Sequence, residues 1–135
     1  MVTDLGIALP PSWRRTSNPE RGVLVSARAP TAPASGFRPE VVLRADSVSL
    51  DELEGRLHDF ALEDDDAFDL MGHDVAYVRF AHRVGAVDVL CDQWTWQVRS
   101  RGVTLTCSVA REDYWDWCDV FEAIAETVDV GPIAA

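Results

Sequence analysis

The chain has 135 residues, enough for one domain with a single core, and 47% of them are apolar. Its net charge is −11, from 23 acidic and 12 basic residues, and every basic residue is an arginine. Such a surface repels phosphate backbones and anionic lipid heads, and no apolar run approaches the roughly 18 residues of a membrane span, so neither nucleic acid nor a membrane is an expected partner.

The opening "MVTDLGIALPPSW" lacks the basic region and long apolar stretch of a secretory signal, which makes the cytoplasm the expected location. "LGIAL" (5–9) alternates Leu5, Ile7 and Leu9 and predicts a first strand, ended by Pro10 and Pro11. "GVLVSARA" (22–29) and "FRPEVVLRAD" (37–46) predict the second and third, separated by the proline-containing loop "PTAPAS". Ser49, with Glu52 three residues on, spells a capping box before a stripe of Leu50, Leu53, Leu57 and Phe60. The predicted helix fades into the self-repelling acidic run "EDDDAFD" (63–69), read as a solvated helix end.

Three further strands follow: "HDVAYVRFAHR" (73–83), "VDVLCDQWTWQV" (87–98) and "VTLTCSVA" (103–110). In the first, Ala76, Val78 and Phe80 share one face and Val75, Tyr77, Arg79 and Ala81 the other. A closing helix over 113–128 carries Trp117, Phe121, Ile124 and Val128 along one side, while 130–135 form a flexible tail of a single domain. Trp115 lies off that stripe, as either an exposed interface anchor or extra core.

Folding the last hairpin about Ser100-Arg101 pairs Val98 with Val103, Trp96 with Leu105 and Trp94 with Cys107, all apolar and all on one face. Both tryptophans therefore point to the core. The opposite face collects Gln93, Thr95, Gln97, Thr104 and Thr106. Asp92 misfits, because strict alternation puts its carboxylate among the tryptophans. A β-bulge near Asp92-Gln93 resolves the conflict and turns Val87, Val89 and Cys91 inward; the alternative is a buried acid with a raised pKa and a function.

Short connections imply an antiparallel sheet, and striped helices must be buried against it. The expected fold is α+β, a twisted antiparallel sheet of about six strands flanked by two main helices in an α/β/α sandwich. No catalytic, cofactor or metal site is assigned. His58, His73 and His82 are scattered, the acidic run lacks the glycine and terminal glutamate of a calcium loop, and no serine sits in a nucleophile elbow. Three cysteines without a C-x-x-C unit read as buried reduced thiols; a zinc site from one histidine with Cys107 and Cys118 is the remote alternative.

"IALPPSW", "FRPEVVLRADS", the helix, "MGHDVAYVRF", the hairpin and the amphipathic closing helix together resemble the PsbP-like superfamily, over about residues 5 to 130. That family includes the photosystem II subunit PsbP and bacterial LpqN and DcrB relatives. The resemblance implies an α/β/α sandwich and a non-enzymatic protein that binds other proteins, including chaperones of secreted effectors that use the open sheet surface. It departs from the exported relatives in having no signal or lipobox, and from the usual strand motif in having Glu40 where asparagine is common. The expected function is a cytoplasmic chaperone, adaptor or immunity-type partner of another protein, one that is basic or bears an apolar segment. Its expected docking residues are Tyr77, Arg79, Gln93, Thr95, Gln97, Thr104, Thr106 and Trp115. The rivals are a homodimeric scaffold and a small hydrolase using Asp92.

Overall fold

A computed structural model describes residues 6–98 and 101–130. Seven strands form one antiparallel sheet: β1 (Arg15–Asn18), β2 (Val23–Arg28), β3 (Glu40–Arg44), β4 (His58–Leu70), β5 (His73–Val84), β6 (Val87–Val98) and β7 (Arg101–Ala110), in the spatial order β1-β2-β3-β7-β6-β5-β4. Two α-helices, α1 (Leu50–Arg56) and α2 (Tyr114–Glu126), lie on opposite faces. The α+β sandwich is thus as the sequence implied, with seven strands where about six were expected.

Two of the strands had no counterpart in the sequence reading. β1, "RTSN", is exposed throughout and carries no apolar period. β4 occupies the acidic run. α1 stops at Arg56, Leu57 is already extended, and Asp59 takes φ 54° as the chain turns into the strand. Pairing with β5 along most of its length overrides the poor strand propensity of aspartate. Its acids then guard an open sheet edge against unwanted pairing. The expected strand over 5–9 is replaced by one bridge, Gly6 to Asp129, with Leu5 outside the described residues and Ile7 buried in the core. The expected flexible tail lies outside the described residues from 131 onward.

The α2 face of the sheet holds the main core. Leu90, Trp94 and Trp96 of β6, Val103, Leu105, Cys107 and Val109 of β7 and Val41 and Leu43 of β3 pack under Phe121, Ile124 and Val128. Trp94 and Trp96 are 3% and 1% exposed, so the indoles face inward as expected. The hairpin register differs by two residues: Trp96 pairs with Val103, Trp94 with Leu105 and Asp92 with Cys107. A two-residue slip preserves which face each side chain occupies, which is why the burial came out right while the partners did not.

The α1 face has a second, smaller core of Leu53, Phe80, Val89 and Cys91. The capping box of α1 is present: Glu52 N–H donates to Ser49 Oγ at 3.1 Å and Ser49 N–H to Glu52 Oε1 at 3.3 Å. The chain reaches α1 by crossing β7 at Gly102, where an added Cβ would stand 2.6 Å from Ser47 Cβ.

Candidate functional site

Asp92 decides where the chemistry of this molecule is concentrated. No register shift interrupts β6 against either neighbour, so the expected bulge is absent and alternation is strict. Val89 and Cys91 accordingly point to the α1 face, and Asp92 stands on the α2 face at 2% exposure. Two hydroxyls make that burial tolerable. Tyr77 O–H, from β5, donates to Asp92 Oδ1 at 2.5 Å; Tyr114 O–H, from the first turn of α2, donates to the same carboxylate at 3.0 Å and 3.1 Å. Arg79, cross-strand from Asp92, places its guanidinium carbon 5.8 Å from the Tyr114 ring centroid and its Nε 3.8 Å from Glu63 Oε1.

Burial pushes the Asp92 carboxyl above its ordinary range, against the opposing pull of the two tyrosines and Arg79. Burial, reinforced by the Asp92 charge, raises the Tyr77 hydroxyl, and the same two causes push Tyr114 up to about 12. Both phenols therefore stay protonated and act as donors.

Tyr77, Arg79 and Tyr114 of this cluster line a groove of about 510 Å³, with Asp92 buried beneath them. α2 packs over β6 and β7; beyond its edge the same face stays open at Tyr77 and Arg79 of β5 and along β4, while Val75 and Ala81 of β5 are buried in the core. Along the exposed strand lie Asp64, Asp66, Phe68 and Leu70; along the facing helix edge lie Trp115, Cys118, Asp119, Glu122 and Glu126. Three aromatic rings run across the strands between them: Phe68 to Tyr77 at 6.3 Å and Tyr77 to Trp94 at 5.4 Å. Trp115 stands at the mouth, 83% exposed and edge-on to Tyr114 at 5.6 Å.

No protein-family model matches the sequence, and no curated protein matches it significantly. Solved structures do. LpqN of Mycobacterium tuberculosis, described as involved in cell envelope biogenesis, superposes with a TM-score of 0.67 at 14% identity, over 92% of this chain and 81% of that one. The cyanobacterial PsbP of Synechocystis sp. PCC 6803 gives 0.61 at 15% identity, over 91% and 84%. The fold is PsbP-like. A Pseudomonas aeruginosa protein of unknown function, PA94, gives 0.66 at 14% identity over 90% and 88%. At these identities the likeness carries the architecture of the PsbP-like sandwich and no residue of its sites.

The eight expected docking residues do not share one surface of this PsbP-like sheet. Tyr77 pairs with Trp94 and Arg79 with Asp92, so both belong to the α2 face and line the groove. Gln93, Thr95, Gln97, Thr104 and Thr106 belong to the α1 face. There they are largely occupied with one another: Thr106 donates to Gln93 Oε1 at 2.9 Å, Thr95 and Thr104 meet at 3.4 Å, and Thr104 also donates to the Asp46 carbonyl at 2.7 Å. Gln93 and Thr104 are buried, and the segment entering α1 crosses at Thr104 and neighbouring Gly102. Only Gln97 is well exposed, with Thr95 half-buried. The polar sheet face expected to be open is thus partly roofed and internally satisfied. Trp115 resolves to its exposed alternative.

Phe68, Tyr114, Asp119 and Glu122 were not singled out from the sequence, and Asp64 and Asp66 were weighed only as part of a calcium-like run and read as a solvated helix end. A signal for the strand residues existed. Met71 and Gly72, at φ 53° and 87°, close a two-residue turn between Leu70 and His73, the left-handed pair that hairpins favour. For the helix, Trp115, Asp119, Glu122 and Glu126 follow a helical step.

Cys118 is only half-buried, on the groove wall, rather than in the core as expected; burial raises its thiol, with Asp119 adding to the effect. Burial pushes Cys91 up to about 12 and Cys107 well above the usual thiol range, so both stay protonated. Among the described residues no three His, Cys, Asp or Glu side chains converge to hold a metal ion. Another concavity, about 550 Å³ at the β1–β2 end, contains three arginines, but Arg28 is paired with Glu40 and Arg38 donates to the Ala29 carbonyl.

Proposed function

We propose that this chain is a non-enzymatic protein-binding module, an adaptor or chaperone that receives a segment of another protein in the groove between α2 and β4–β5. The observation that carries this reading is Trp115. A tryptophan held on an ordered helix, 83% exposed at the rim of an aromatic-floored groove, is the kind of residue that anchors interfaces, and it costs free energy to leave in water. The Asp92 cluster supports a structural role for the acid. Its carboxylate is 2% exposed and its donors are tyrosines that remain neutral, an arrangement that stiffens the groove floor rather than presenting a base to a substrate.

The test is capture from the source cell with the wild-type chain and with Trp115→Ala, followed by cross-linking to locate the contact. The reading requires a stoichiometric partner that the variant loses, cross-linked to α2 or β4. A partner retained by Trp115→Ala and lost on Gln97→Arg would move the docking surface to the α1 face. A self-associated species in light scattering, abolished by Trp115→Ala, would favour the homodimeric scaffold.

A further inference from the structure

The groove's charge is not balanced by the protein itself. Asp64 and Asp66 on β4 and Asp119, Glu122 and Glu126 on α2 form no ion pair among the described residues. The arginines that do form them reach elsewhere: Arg28 to Glu40, Arg44 to Asp46, Arg56 to Glu52, Arg83 to Asp59 and Arg111 to Asp88 and Glu63. Arg79, the groove's own cation, is engaged by Glu63 and the Tyr114 ring. Five carboxylates thus border one concavity lined by Phe68, Tyr77, Trp94 and Trp115.

Their spacing limits what could neutralise them. The acids do not converge in threes on a point, so a divalent ion has no cage. Instead they form two rows, one along β4 spanning about 7 Å and one along α2 spanning about 10 Å, by the rise per residue of strand and helix. A second copy of this chain, itself at −11, is repelled. What fits is a chain with several separated cations and enough apolar surface to lie on aromatic rings. A guanidinium suits both features, since it pairs with carboxylates while stacking flat on indole or phenol faces.

Resting on the protein-binding reading above, we propose that the occupant of the groove is a basic segment of the partner, with arginines meeting the Asp64–Asp66 and Asp119–Glu122 rows on either side of an apolar side chain seated on the Phe68 and Tyr77 rings.

The probe is the tryptophan-free peptide acetyl-Arg-Leu-Arg-Leu-Arg-amide, titrated at low salt against the tryptophan fluorescence of the chain, beside its lysine and glutamate counterparts. The arginine peptide is expected to bind best, the lysine peptide more weakly and the glutamate peptide not at all, with affinity falling as salt rises. Asp119→Lys/Glu122→Lys should weaken the arginine peptide about tenfold or more, because it replaces attraction by repulsion at the site. Glu20→Lys/Glu54→Lys changes the net charge equally on exposed acids away from the groove, and should change affinity by less than about twofold once salt screens distant charge. Equal weakening by both pairs would reduce the effect to overall charge and overturn the proposal. So would absence of binding, or equal binding of the glutamate peptide. A captured partner that depends on Trp115 but docks through a neutral or acidic segment would overturn the basic occupant while leaving the binding module intact.

Discussion

Tyr77 O–H lies 2.5 Å from Asp92 Oδ1, across the β5–β6 pair, and this contact lets a carboxylate sit among tryptophans. Hydrogen bonds to a charged group contribute about 1.5–3 kcal/mol, and the partner left behind is buried. Tyr77→Phe should therefore destabilise the fold by about 2 kcal/mol, with Tyr114→Phe causing a comparable loss. In a double-mutant cycle with Asp92→Asn, the tyrosine effect should shrink. Urea unfolding of the four proteins measures it; an unchanged Tyr77→Phe cost in the Asp92→Asn background would show that the hydroxyl matters for packing alone.

The same burial sets a pH dependence. Asp92 has a folded-state pKa above that of the unfolded chain. Its contribution is thus most favourable below the unfolded value of about 3.9, and is progressively lost as pH rises through the raised folded value. Asp92→Asn removes this group from the titration. The stability difference, variant minus wild type, should climb as pH is raised from about 4 and level off only above the raised folded value. Comparing the two proteins at each pH cancels the many surface carboxylates that both share. A flat difference would mean that the acid is ordinary.

Tyr77 and Tyr114 are the chain's two tyrosines, and both donate to Asp92. Their phenols are raised by burial and by the carboxylate they bind. Phenolate absorbance near 295 nm should therefore stay low through pH 10, where a free tyrosine is half ionised, and rise only together with unfolding. Because the unfolded chain ionises first, stability should also decline above about pH 10. An ordinary titration curve on a still-folded chain would sink the proposed hydrogen bonds.

The parts of this fold that were legible in the sequence are those where a local pattern has one solution. The capping box at Ser49 and Glu52 started α1, and the Phe121–Ile124–Val128 step placed the buried side of α2. The alternation through β6 and β7 fixed which side of the sheet each residue occupies. It left the partners open, since Trp96 opposite Leu105 and Trp96 opposite Val103 are both apolar pairs. Asp92 was left between a bulge and a buried acid, and the structure shows the burial and raised pKa of the second. The bulge argument assumed that its carboxylate would lack donors, but they arrive from 15 and 22 residues away, where only the folded sheet and helix bring them. β4 was hidden because its acids repel in a helix and a strand alike, and only the opposite strand β5 decides between them. The groove inherits that blindness, since one of its walls is β4.

Gly102 and Ser47 show how the α1 face is closed. The segment from β3 to α1 crosses β7 so tightly that an alanine Cβ at 102 would fall 2.6 Å from Ser47 Cβ and 3.1 Å from Ser47 N. The second of these is backbone and cannot rotate away. Beside it, Asp46 uses its carbonyl to accept from Thr104, so a retreat of the segment would also strip a buried hydroxyl of its partner. Gly102→Ala should cost about 1–3 kcal/mol, the usual range for overpacking, measured by urea or thermal unfolding. Ser47→Gly removes the side-chain half of the clash and should recover part of the loss in the double variant, whereas alone it should change stability little. Thr104→Val, which keeps the shape and deletes the hydroxyl, should behave differently. It leaves the Asp46 carbonyl without its donor, and Ser47→Gly should not rescue it. If Ser47→Gly failed to relieve Gly102→Ala, the crossing would have to be looser than the 2.6 Å approach implies.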